Sequence, residues 1–108
     1  MTIPSIALLD FEKTIQHGRT IILFWAQWCG LCPFVIEHLT NLYGEYSDCI
    51  EIGLADFDEY ISAVHDYSVY GTPTVTAFYE GALIGVWAGL REEADYRQII
   101  EEFMERHP

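Results

Sequence analysis

Phe24-Trp25-Ala26-Gln27-Trp28-Cys29-Gly30-Leu31-Cys32-Pro33 marks the point where an apolar, strand-like run gives way to an amphipathic helix. Upstream, Thr20 to Ala26 is short, almost continuously apolar and rich in Ile, Phe and Trp, the pattern of a strand buried on both faces. Downstream, Val35, Leu39, Leu42 and Tyr46 recur at intervals of four, three and four, which is one face of a helix ending near Gly44 or Tyr46. Cys29 and Cys32 are therefore expected at the positive end of that helix. Unsatisfied N–H groups there favour negative charge, and a thiolate rather than a thiol is the sulfur nucleophile. Residues three apart on a helix bring their Cβ atoms within about 5–6 Å, and a disulfide needs Cα atoms about 4.4–6.8 Å apart. The pair is thus expected to open and close a bridge with little backbone movement. Pro33 is tolerated because the first four amides of a helix have no intrahelical acceptor.

Outward from this stretch the chain alternates strands and helices. Residues 3 to 6 read as a short edge strand, a position Pro4 permits. Asp10 is expected to cap a helix over Phe11 to His17, with Gly18 as its stop. Cys49 to Asp56 alternates as a strand does, with Cys49 expected to be buried and unreactive at its start. Asp58 reads as the N-cap of a short helix through Ile61 and Val64 to His65. Thr74 to Tyr79 and Ala82 to Trp87, joined by Glu80-Gly81, form a hairpin pattern. Tyr96, Ile99, Ile100, Phe103 and Met104 make a helical stripe, with Glu92, Glu93 and Asp95 in its first turns and Arg106 and His107 at its end. The order βαβαββα implies an α/β fold with helices on both faces of a mixed sheet.

A chain of 108 residues, 51% hydrophobic and 15% aromatic, is expected to form one domain spanning 1–108. No segment approaches the ~20 apolar residues of a membrane span, and Met1 to Asp10 lacks the pattern of a secretion signal. A cytoplasmic location is the expectation. Seventeen acidic against five basic side chains give a formal charge of −12, which disfavours nucleic acid and anionic membranes as partners. Solubility accounts for such a charge, and selection of a basic protein partner is the alternative. Three cysteines are too few for a disulfide-built scaffold, so the Cys-X-X-Cys pair points to catalysis or metal binding. A structural zinc site needs about four ligands, and only Cys49 and four scattered histidines could complete one. No metal is expected. Without a Gly-X-Gly-X-X-Gly fingerprint, no nicotinamide or other cofactor is expected either.

Residues 24–32, Phe-Trp-Ala-Gln-Trp-Cys-Gly-Leu-Cys, resemble the active-site segment of the thioredoxin family, and Cys-X-X-Cys beside a βαβ pattern is a general signature of that fold. Gly71-Thr72-Pro73-Thr74 is similar to the family's cis-proline loop. Glu80-Gly81 followed by Ala88-Gly89 is similar to its terminal hairpin and the glycine after it. The resemblance covers residues 20 to 108 well and the first nineteen loosely. It implies a thioredoxin fold, a three-layer αβα sandwich around a mixed sheet of four to five strands. It also implies a monomeric thiol-disulfide oxidoreductase in which Cys29 and Cys32 are catalytic, protein disulfides are substrates, and a reductase or small thiol donates electrons. Trp28, Gly30, Leu31, Gly71, Thr72, Pro73 and Gly89 would flank the thiols and dock an extended substrate, with Thr72–Pro73 cis.

Several positions depart from the family pattern. Leu23 stands where the family carries a buried aspartate, and Leu54 where it carries that group's lysine partner. Leu31 replaces the proline between the cysteines, Pro33 the basic residue after them, and Glu37 the helix-kinking proline. Two other readings stay open: a binding or chaperone-like module with incidental thiols, and a glutaredoxin-type iron-sulfur-bridging protein.

Overall fold

Ile21 and Leu23 leave one side of the central strand and Ile22 and Phe24 the other, and each pair belongs to its own core. The computed structural model describes residues 2–108. Its sheet contains β1 (Arg19–Trp25), β2 (Glu51–Asp56), β3 (Thr74–Tyr79) and β4 (Ala82–Ala88), in the order β2-β1-β3-β4. β1 runs parallel to β2 and antiparallel to β3, and β3 and β4 form an antiparallel hairpin. Residues Thr20 to Phe24 of β1 are all buried, as coverage of both faces requires.

Three helices supply that coverage: α1 (Phe11–Ile15), α2 (Cys32–Tyr46) and α3 (Glu93–Arg106). On one face, Val35, Leu39 and Leu42 of α2 and Tyr96, Ile100 and Phe103 of α3 pack on Leu23, Ile52 and Val75. On the other, α1 and the irregular segment 57–69 bring Phe11, Tyr60 and Val69 onto Ile22, Phe24 and Phe78. The result is a three-layer αβα sandwich around a four-stranded mixed sheet. The hairpin turns through Glu80 and Gly81, both at positive φ (49° and 88°), the handedness that matches strand twist. Glu92 and Asp95 exchange side-chain and backbone hydrogen bonds in a capping box that starts α3.

Several expectations are corrected. Residues 3 to 6 make a single bridge, Ser5 beside Leu54, instead of a strand. Pro4 accepts the Leu54 N–H at 2.9 Å but has no N–H of its own to extend a ladder. α1 ends at Ile15, short of His17, and the Asp10 side chain makes no cap, because Asp10 closes a 3₁₀ turn over Leu8–Asp10. The helix expected from Asp58 to His65 is a run of turns ending in a 3₁₀ segment, Val64–Tyr67. Asp56, not Asp58, organises its start by accepting the Asp58 N–H at 2.9 Å. The strand expected from Cys49 begins at Glu51. The Tyr46 carbonyl accepts the N–H groups of both Cys49 and Ile50, which holds this stretch in the turn after α2 and leaves Cys49 exposed instead of buried. Ile99 and Met104 are only partly buried at the margin of the core.

Phe11 is the hub of the second core, its ring 5.2 Å from Tyr60, 5.0 Å from Tyr67 and 5.6 Å from Phe78. Phe11→Ala is expected to cost ~3–5 kcal/mol, since these neighbours span three elements and cannot collapse onto the void together. Urea denaturation monitored by circular dichroism reads the loss, and a change below about 1 kcal/mol would contradict this account of the core.

Candidate active site

The chain leaves β1 at Trp25 and enters α2 at Cys32, and the intervening turn carries Cys29. The Cys29 N–H donates to the Ala26 carbonyl at 3.1 Å, and the Phe34 N–H to that of Leu31 at 3.2 Å. Cys29 therefore precedes the helix instead of lying on it, while Cys32 is its first residue and Pro33 falls in its first turn. The separation survives this correction, with Cα atoms 5.5 Å apart and the two sulfurs disulfide-bonded. Cys29 is 8% exposed and Cys32 1%, so both are largely buried and the first is the more accessible of the two.

Sheet register brings the proline loop alongside. Thr74 opens β3 opposite Phe24 of β1, which puts Gly71, Thr72 and Pro73 at the strand end that leads to Cys29. The Thr72–Pro73 bond is cis, and Thr74 Oγ1 donates to the Gly71 carbonyl at 2.8 Å. The Gly89 N–H donates to the Pro73 carbonyl at 2.8 Å, with Gly89 at φ 84°, so β4 delivers its terminal glycine to the same place. Gly30 and Leu31 are exposed in the turn between the cysteines. Trp28 is 63% exposed and therefore not a core residue. It is pinned on the surface by an indole N–H donated to Asp58 Oδ2 at 2.9 Å and by edge-on contact with Phe57.

Sequence reasoning missed two contributors. Asp58 reads as a helix cap but holds Trp28. Tyr96 reads only as part of the α3 stripe, yet its buried hydroxyl donates to the Gly89 carbonyl at 3.3 Å and accepts the Arg91 N–H at 3.1 Å. A tyrosine where phenylalanine would pack equally well was the available signal. Burial outweighs the hydrogen bond from the Arg91 backbone and raises the Tyr96 pKa, keeping the phenol protonated and able to donate.

Leu23 and Leu54 are Cα partners across β1 and β2, and Leu23 is fully buried on the face that α2 covers. Among the described residues the buried polar side chains are Thr20, Thr74 and Thr76, so no carboxylate is buried beneath the thiols. Lys and Arg are missing from the whole stretch between Thr20 and Glu45. Acidic groups stand on both sides, with Asp58 and Glu59 past Trp28 and Glu92 and Asp95 past Gly89. Glu93 accepts hydrogen bonds from Asn41 and His38 of α2, which hold its carboxyl below the usual range.

The family model for Thioredoxin matches residues 3–102. Over 104 residues the chain is 28% identical to the thioredoxin of Staphylococcus epidermidis and 29% identical to that of Staphylococcus saprophyticus, in each case covering 96% of this chain and 100% of the relative. Among solved structures, one concerned with the thiol-resolving mechanism in yeast mitochondrial 1-Cys peroxiredoxin via glutathione/thioredoxin systems holds a similar chain. It superposes with a TM-score of 0.81 at 27% identity, covering 93% of this chain and 94% of that one. A Cys-X-X-Cys pair closed into a disulfide where β1 meets α2, on a fold and sequence shared with these relatives, establishes that the chain belongs to the thioredoxin family and is a thiol-disulfide oxidoreductase.

Proposed function

We propose that the protein reduces disulfides in other proteins, with Cys29 as the attacking and Cys32 as the resolving thiol. The greater accessibility of Cys29 than of Cys32 supports this order, because the attacking thiol must be reached by a client. Starting from the dithiol, the Cys29 thiolate attacks one sulfur of the client disulfide. A Cys29–client bond forms, and the other client sulfur leaves as a thiolate that takes up a proton. Cys32 then loses its proton and attacks the Cys29 sulfur, so that the Cys29–Cys32 bond forms and the first client sulfur leaves and is protonated. The client gains two electrons and two protons, and a reductase or a small-thiol donor restores the dithiol.

With no cation in the neighbouring sequence, the N–H groups at the start of α2 are the main stabilisers of the Cys29 thiolate. Trp28, Gly30, Leu31, Gly71, Thr72, Pro73 and Gly89 form the docking surface for an extended client segment. The enzyme acts as a single-domain monomer of the cytoplasm, a reading that rests on its acidic composition and on three cysteines being too few for the disulfide scaffold of a secreted domain. No helix among the described residues is long and apolar enough to cross a membrane.

Equilibration in glutathione buffers of known ratio, followed by quantification of free thiols, tests the proposal. A single two-electron transition is expected, assigned to Cys29 and Cys32 by peptide mapping. A pair that stays oxidised or reduced across the whole range would refute it.

A further inference from the structure

Trp28, Leu31 and Phe34 (54%), which flank the two cysteines in sequence, and Leu90 (40%), which follows the Gly89 that bonds Pro73, are all exposed apolar side chains. Phe34, on the first turn of α2, and Leu90, immediately after Gly89, stand on either side of a cleft of about 570 Å³. His38, Arg91, Glu92 and Asp95 complete its lining. The cleft is continuous with the catalytic surface, since the Gly89 that meets Pro73 is bonded directly to Leu90.

Leu90 is held outward by design of its backbone. The single buried hydroxyl of Tyr96 bonds the carbonyl of the residue before it and the N–H of the residue after it. A loop fixed on both sides of one exposed leucine presents that leucine at little further entropic cost on binding. The carboxylates of Glu92 and Asp95 on the cleft, with Asp58 and Glu59 beyond Trp28, give the surroundings a negative potential that Arg91 only partly offsets.

We propose that the cleft between Phe34 and Leu90 seats a large apolar side chain of the client polypeptide whose disulfide Cys29 attacks, in a segment that also carries Lys or Arg. The inference rests on the reductase reading above and adds the class of client that the enzyme prefers. A client chain crossing the disulfide passes Gly89 before reaching the cleft, so the seated side chain lies a few residues from the attacked cysteine.

The test uses the reduced full-length protein and synthetic peptides whose one cysteine is held as a mixed disulfide with a coloured aryl thiol. Phe or Gly is placed at each of the three positions on either side of the cysteine, with Lys or Glu beyond. At one position or more, the single-turnover second-order rate constant for the Phe peptide, read from release of the coloured thiol as the dithiol is oxidised, is expected to exceed that for the Gly peptide by about tenfold. Lys peptides should outrun Glu peptides, with the gap narrowing as salt rises. The double variant Phe34→Ser with Leu90→Ser should bring the Phe/Gly ratio to about two or less, and Tyr96→Phe, which keeps the ring, should lower it part of the way. Both serine replacements are at exposed positions, and circular dichroism verifies the fold.

A Phe/Gly ratio near one at every position overturns the inference while leaving the reductase reading intact, and so does a ratio that survives the double variant. Faster reaction of the Glu peptides overturns the charge preference. Failure to reduce any peptide overturns both readings.

Discussion

Cys29→Ser is expected to lower the rate of disulfide reduction by ~10³-fold or more, whereas Cys32→Ser stops the reaction halfway. A serine hydroxyl is scarcely ionised at neutral pH and cannot form the mixed disulfide, and the loss of an attacking nucleophile removes most of the catalysis. The Cys32 variant still has Cys29, the more accessible thiol, so it attacks once, expels about one equivalent of client thiol per chain and stays covalently joined to the remainder. Coloured thiol release and mass spectrometry read the two results. Cys29→Ser activity above about a tenth of the parent's, or normal turnover by Cys32→Ser without a trapped adduct, would refute the order of attack. Because the trapped adduct is stable, the same variant identifies the clients.

Leu23→Asp is expected to have the second large effect, with opposite signs in rate and stability. A carboxylate on the face under α2 would take the proton from Cys32 during resolution, and positioned proton transfer is commonly worth ~10²-fold or more. The parent has only water or substrate for that task. The same substitution puts an unpaired acid into a fully buried site, which costs ~3–5 kcal/mol. Desolvation raises the folded-state pKa of the new group above its unfolded value. The folded protein then holds the extra proton more tightly, so the stability loss is smallest in acid and grows as pH rises through the folded pKa. Leu54→Lys should recover part of the loss, because positions 23 and 54 are Cα partners across β1 and β2. Urea titrations of the four proteins in a double-mutant cycle measure that coupling, which should be ~1 kcal/mol or more. A turnover rate unchanged or lowered by Leu23→Asp would contradict the role assigned to the missing carboxylate.

What could be read in advance follows from where a single physical signal dominates. β1, α2, the β3–β4 hairpin and α3 were legible because Ile21 to Phe24, Val35-Leu39-Leu42, Glu80-Gly81 and Tyr96-Ile100-Phe103 each carry a periodicity or turn chemistry without a competitor. The segment after β2 was not. Asp56 and Asp58 both resemble caps, and only the folded chain shows that Asp56 turns the backbone while Asp58 takes the Trp28 indole. Cys49 misled because its apolar neighbour Ile50 suggests a strand already begun, whereas the end of α2 still claims both N–H groups.

In the site itself, Cys29, Cys32 and the proline loop were legible as a motif, but not the exact start of α2. The turn is closed by the Ala26 carbonyl, a contact that leaves no trace in residue type. Phe34 and Leu90 were illegible for a related reason. Their contribution comes from α2 and the end of β4 meeting in space, across more than fifty residues of chain.

The exposed thiol of Cys49 has a practical corollary. It shares a surface with His17 and Arg19, at the start of β1, whereas Cys29 follows that strand's far end. A strand of this length spans roughly 20 Å, far beyond the reach of a disulfide between the two. In the oxidised protein, maleimide would therefore find Cys49 alone. A bead or fluorophore attached there would anchor the molecule by its rear pole, with the exchanging sulfurs turned toward the bulk liquid once a reductant is added.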